Sequence, residues 1–202
     1  MSGEKTDTRS RIMEAAVEAI GREGNLNVTI REIAERAGVN IAAINYHFSS
    51  KENLIAEVER VTMEKVQQVY NLLADESKSP RERLVDWAEG LMIYLIDYPG
   101  IIYMIGSRVL QSDNKSAGLA GYLSVSDTRL NPAVRELTGI MDEKLLSFKA
   151  LQLLSGVVYP TLIYSGTKKA LGKIISNQQV RREYLEMLIN SLVNQAMVNN
   201  PH

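Results

Sequence analysis

The sequence predicts an all-α chain in two parts, with short helices up to about residue 48 and longer ones after it. Two observations predict the class. Apolar residues recur at helical spacing, as in Ile12, Ala15, Ala16, Ala19 and Ile20, and no alternating β-branched run competes with them. Helix start signals also recur along the chain, each placed to satisfy the amides that a first turn leaves unpaired.

The first helix is expected near 7–23, started by Asp7 or Thr8 and ended by Gly24 as a left-handed C′ residue. Thr29 with Glu32 reads as a capping box opening a helix at 29–36. Asn40 caps a helix at 40–46. Ser49 with Glu52 opens one at 50–75, and Ser79-Pro80 with Glu82 opens one at 80–97. Pro99-Gly100 separates that helix from one at 99–111. Asn131-Pro132 reads as an N-cap and N1 pair for 131–140. A helix at 142–165 carries Pro160, which should kink it, and Ser176 with Gln179 opens the last, at 177–198. Residues 111–131, rich in Ser, Gly and Asp, read as a loop with one short helix.

Composition narrows the chemistry. In 202 residues, 23 Lys and Arg meet 24 Asp and Glu, so any nucleic-acid contact must come from a local patch. The absence of Cys removes disulfides, thiolate metal sites and Cys nucleophiles. Two His, one of them His202, leave little for a metal site, and neither a metal nor a cofactor is expected. No uncharged apolar stretch approaches a membrane span, and Met1 to Arg11 is polar without a signal-peptide core. A cytoplasmic protein with no membrane partner is expected.

Residues 29–48 carry the sharpest pattern. Ile30, Ile33, Ala34 and Ala37 face inward from one short helix, Gly38 turns the chain, and Ile44 and Phe48 anchor the next. This is the helix-turn-helix arrangement, whose second helix enters the DNA major groove. A helical hairpin without nucleic acid fits the same pattern.

The stretch Thr29-Ile30-Arg31-Glu32-Ile33-Ala34-Glu35-Arg36-Ala37-Gly38-Val39, followed by Ile44-Asn45-Tyr46-His47-Phe48-Ser49-Ser50-Lys51-Glu52-Asn53-Leu54, resembles the N-terminal signature of TetR-type transcriptional regulators. The resemblance covers roughly residues 8–55 and is architectural beyond them. It implies an all-helical homodimer on a palindromic operator, with a helix-turn-helix domain at 1–50 and a larger helical ligand-binding and dimerisation domain at 51–202. Thr29 would cap the supporting helix and bond a phosphate. Arg9, Arg31 and Lys51 are candidates for the DNA-facing side, Lys51 for a phosphate pair. Ile41, Ala42, Ala43 and Asn45 would face the groove, with Asn40 and Tyr46 assisting and Tyr46 and His47 at the end of the recognition helix.

The chain departs from the common family pattern, because its recognition helix has no Lys or Arg. Base readout by hydrogen bonding would rest on Asn45, which suits adenine, while Ile41, Ala42 and Ala43 offer only apolar contact. Residues 1–55 hold seven basic against eight acidic side chains, so few direct phosphate pairs are expected. With no second internal His, His47 reads as a groove-edge residue, and Phe48 as a core anchor.

The later helices are rich in Tyr and poor in Phe, which suits a cavity with polar spots. Candidate lining residues for a small-molecule effector are Trp87, Leu91, Tyr94, Tyr103, Met104, Arg108, Phe148, Tyr159 and Tyr164, although stripes at helical spacing are core more often than pocket. The last two helices carry apolar faces broader than one partner needs, and the resemblance implies that they pair with their copies in a dimer. Leu151, Leu154, Val158, Tyr184, Leu188 and Leu192 are expected there. The expected protein is therefore a ligand-released repressor. A DNA-binding adaptor controlled by a protein partner is the alternative. A helical enzyme has no nucleophile with a base, phosphate loop or ligand cluster to recommend it.

Overall fold

The structure is a computed structural model and describes residues 2–25, 27–110, 129–167 and 175–198. All regular elements among them are helical. They are α1 (Ser2–Ala16), continued by a π-helical turn at Val17–Arg22, α2 (Ile30–Ala37), α3 (Ile41–Phe48), α4 (Lys51–Tyr70), continued by a 3₁₀ turn at Asn71–Ala74, and α5 (Pro80–Asp97). Then come α6 (Gly100–Leu110), α7 (Leu130–Thr138), α8 (Glu143–Thr167) and α9 (Gln178–Val198). The expected loop at 111–131 falls almost wholly outside the described residues.

The capping chemistry sets most of the boundaries. Thr29 and Glu32 form the expected capping box, as do Ser79 and Glu82. Asn40 accepts from the Ala43 amide at 2.8 Å. Gly24 and Gly38 take the expected left-handed angles, with φ of 71° and 63°.

Three caps differ from expectation. Ser50, not Ser49, accepts from the Asn53 amide, because Ser49 is spent on the turn out of α3 with φ of 65°. Asn131 sits inside α7, whose first residue is Leu130, so its side chain caps nothing. Asn177, not Ser176, caps α9 by accepting from the Val180 amide at 3.1 Å. The Asp142 carboxylate, unremarked in the sequence, caps α8 through the Leu145 amide at 2.7 Å. At the other end of the chain α1 starts at Ser2, not at Asp7, as the helix formers Glu4 and Lys5 allow.

The chain divides into two compact units. One lies within Met1–Lys65 and Asp97–Leu119, the other within Val66–Ile96 and Ala120–His202. The first extends past the expected boundary at residue 50, taking in α4 up to Lys65 as well as α6. Its core holds Ile12, Ala16, Ile20, Ile33, Ile44, Leu54 and Val58. The π turn is its unforeseen feature. A π turn shifts the side-chain register by one residue, and over the six residues Val17–Arg22 that shift is too brief to stand out in the sequence pattern. Gly100 at the start of α6 packs directly on this turn: a Cβ there would lie 1.8 Å from the Ile20 carbonyl oxygen.

In the second unit, α8 buries Leu146, Ala150, Leu153 and Val157 along one face, and α9 buries Arg181, Leu185, Ile189 and Leu192. Glu143–Tyr164 of α8 is long and apolar enough to cross a membrane by length and composition alone, and one of its faces is buried. The helix runs through Pro160. Gly156 permits the close approach of α9, since a Cβ there would lie 2.6 Å from Leu188, and the Tyr184 hydroxyl donates to the Gly156 carbonyl at 2.7 Å. Between α5 and α9, the buried Glu89 carboxylate accepts from Arg181 at 3.1 Å and from Arg182 at 2.9 Å.

Candidate nucleic-acid interface

The site lies in the first unit and is built on α2, α3 and the turn between them. The α3 helix buries Ile44 and Phe48 and presents Ile41, Ala42, Asn45 and Tyr46 outward, with Ile41 46% and Tyr46 67% exposed. Neither Ile41 nor Tyr46 is part of the unit's core. Ala43 and His47 are half-buried beside that face, and the Tyr46 and His47 rings meet edge-on at 5.1 Å. Asn40 is exposed, but its side-chain oxygen is committed to the α3 cap.

Two arginines hold α3 in place, and the sequence did not mark either for that role. Arg11 of α1 donates to the Ala37 carbonyl at 2.6 Å and the Gly38 carbonyl at 3.0 Å, which ties α1 to the turn between α2 and α3. A Cβ at Gly38 would lie 2.7 Å from that guanidinium, so Gly38 serves both the turn angle and this anchor. Arg9, a candidate for the DNA-facing side, stacks over the Phe48 ring at 5.2 Å and pairs with Glu57 of α4 at 2.6 Å. Its cation is thus occupied in joining α1, α3 and α4.

Of the other expected phosphate contacts, Thr29 is exposed, but its hydroxyl accepts from the Glu32 amide and donates to the Glu32 carboxylate at 2.8 Å. Arg31 is exposed and makes no ion pair among the described residues. Lys51 is half-buried at the first residue of α4.

Glu57 is the electrostatic hinge of this framework. Its hydrogen bonds from Arg60 and then Arg9 hold its carboxyl at about 2, against an ordinary 4.5. A lowered folded-state value contributes stability that is complete above the unfolded value and fades as pH falls toward 2. Wild type should therefore lose more stability between pH 5 and pH 3 than Glu57→Gln does. Thermal unfolding at several pH values checks this, and parallel curves for the two proteins would contradict it.

The expected effector-lining residues fall in different places. Tyr103 and Met104 belong to the first unit, where a Cβ on Gly24 would lie 3.5 Å from the Tyr103 ring. Trp87 and Leu91 are buried and Tyr94 half-buried in the second unit, as is Tyr164. Phe148 and Tyr159 lie on the outer face of α8, 57% and 61% exposed, and line no interior. Arg108 lies outside the residues whose side chains are described. Trp87 packs against Tyr70, which the sequence reading did not single out.

The expected dimer residues also divide. Leu192 and Leu154 are buried within their own unit, Val158, Tyr184 and Leu188 are half-buried, and only Leu151 is exposed. The outward apolar face is instead Phe148, Leu151 and Tyr159 of α8, together with Met187 of α9.

A capped helix-turn-helix with an outward-facing second helix, carried by an otherwise helical chain, defines the class of protein. Comparison with known proteins gives the family. Residues 12–58 match the model for bacterial regulatory proteins, tetR family. Over 76 residues the chain is 34% identical to the HTH-type transcriptional regulator BetI of Brucella anthropi. That match covers 38% of this chain and 39% of the relative, so the chain spans about two fifths of the curated relatives it matches. A TetR-like transcriptional regulator from Rhodococcus sp. RHA1 has a similar fold, with a TM-score of 0.68 at 14% identity over 96% of this chain and 97% of the other. A gamma-butyrolactone receptor superposes with a TM-score of 0.59 at 19% identity, over 95% and 99% of the two chains.

Proposed function

We propose that this chain is a ligand-responsive transcriptional regulator that represses by binding a palindromic operator as a homodimer and is released by a small molecule. The observation that carries the reading is the outward face of α3, Ile41, Ala42, Asn45 and Tyr46, on a helix-turn-helix of the tetR family. The similarity in fold to a gamma-butyrolactone receptor supports the ligand-responsive part. A second copy would cover Phe148, Leu151, Tyr159 and Met187, setting two α3 helices about 34–36 Å apart, one turn of B-DNA. The effector acts by population shift, favouring a state with another separation and weakening DNA by a coupling energy of about 1–3 kcal/mol. The α4 helix contributes residues to both units and is the element through which the coupling runs.

Two substitutions test the interface by opposite signatures. Asn45 carries a donor and an acceptor on a short stem, the complement of adenine in the major groove. Asn45→Ala should cost about 1–3 kcal/mol per half-site on the preferred operator and leave binding to unrelated DNA nearly unchanged. Lys51→Ala should weaken all sequences alike and shrink the salt slope by about one unit per protomer. Binding measured at several salt concentrations on operator and random duplex separates the two. An Asn45→Ala protein that keeps its ratio of specific to non-specific affinity would remove Asn45 from base readout.

A further inference from the structure

The second unit contains a pair of polar groups that its described residues leave unpaired. Trp87 is fully buried and Tyr70 is 4% exposed, and their rings meet edge-on with centroids 5.4 Å apart. Among the described residues, neither the Trp87 indole N–H nor the Tyr70 hydroxyl has a hydrogen-bond partner. An indole N–H can only donate, and a phenol donates readily. Buried polar groups are nearly always paired, because leaving one unmade forfeits its hydration with no return. Of the five such buried groups among the described residues, these two belong to rings in contact with each other.

The surroundings restrict what could meet them. Leu84, Leu91 and Met92, on the same helix as Trp87, are buried apolar residues. The buried charges Arg83, Glu89 and Arg181 form ion pairs with Glu136 and with each other, the Arg83 Nε–H has no hydrogen-bond partner among the described residues, and Lys149 of α8 is a further buried cation of this unit. At the Trp87–Tyr70 contact itself a neutral acceptor would find two donors. Burial also raises the Tyr70 hydroxyl well above its usual value, so it remains a protonated donor at any physiological pH.

Resting on the regulator reading above, we infer that the effector is a neutral, largely apolar molecule whose carbonyl oxygen accepts hydrogen bonds from Trp87 and Tyr70. Aromatic walls with a few placed donors are the usual composition of a small-molecule site.

Trp87 is the chain's single tryptophan, so its emission reports the site directly. The full-length protein is titrated with 2-octanone, n-octane, octanoate and octylammonium, following Trp87 emission and thermal unfolding. The expected result is a saturable emission change with 2-octanone, at an affinity above those of the other three probes. Tyr70→Phe should unfold at the wild-type temperature or higher without probe, since it deletes an unpaired group. It should also weaken 2-octanone binding about 2- to 10-fold, the worth of one neutral hydrogen bond, and leave n-octane binding unchanged.

Equal binding of 2-octanone and n-octane to wild type overturns the inference, as does the absence of any saturable emission change with 2-octanone. So does a Tyr70→Phe protein that is destabilised before any probe is added, because its hydroxyl would already have been paired. Binding to operator DNA is measured in parallel. Retained DNA binding without a carbonyl preference sinks this inference alone, while a carbonyl preference without DNA binding sinks the regulator reading alone.

Discussion

A Gly100→Ala protein should unfold at least about 6–12 °C below wild type, a loss of about 3 kcal/mol or more. The added methyl would lie 1.8 Å from the Ile20 carbonyl oxygen and 2.9 Å from that of Gly21. Ordinary carbon–oxygen contacts are about 3.3–3.6 Å, so the π turn and the start of α6 would have to separate. Both obstacles are backbone, and neither can rotate aside as a side chain would. Packed interiors yield little, which puts the cost at or above the upper end for overpacking. Gly106→Ala is the control on the same helix: a Cβ there meets nothing within 4 Å, and the substitution should stabilise by about 0.5–1 kcal/mol. Thermal unfolding followed by circular dichroism checks both. Equal midpoints for the two variants would show that α6 does not rest on the π turn.

Glu89→Ala should cost about 3–5 kcal/mol. Glu89 and Arg181 are each 8% exposed, and the carboxylate takes hydrogen bonds from Arg181 and Arg182. Removing it strands the Arg181 cation in the core with the Ile175 carbonyl, at 2.8 Å, as its remaining partner in the described network. The net worth of the intact pair is far smaller than that penalty, because both ions lost their water to form it. A Glu89→Leu, Arg181→Met double variant should therefore recover most of the loss. Urea unfolding of the single and double variants measures the coupling. A double variant as unstable as the single one would mean that packing at these positions, not the stranded charge, sets the cost.

The helix order was legible in the sequence because it rests on local chemistry. Thr29 with Glu32, Ser79 with Glu82, Asn40, Gly24 and Gly38 act within one turn of themselves. The errors arise where two residues compete for one role, as with Ser49 and Ser50 or Ser176 and Asn177, and the winner depends on how the chain enters the turn. The inward anchors of α3, Ile44 and Phe48, were legible in the sequence, whereas Ile41 keeps the same helical spacing and yet is exposed.

The bundle was less readable because α8 is apolar on two faces. Leu154 and Tyr159 look alike as letters, yet one is buried and the other exposed. Long-range partners were invisible for the same reason. Arg9 and Arg11 count equally as charges, and nothing local says that one reaches Glu57 and the other the Ala37 carbonyl. Tyr70 gave no signal at all, since its meeting with Trp87 is set by how two helices pack.

The exposed face of α3 is proposed to read an operator as part of a dimer. Selection of bound duplexes from a random DNA pool, followed by sequencing, tests it most directly. The expected result is an enriched inverted repeat with half-site centres about one helical turn apart, and loss of that enrichment with Asn45→Ala. Recovery of a pool no different from its input would contradict it.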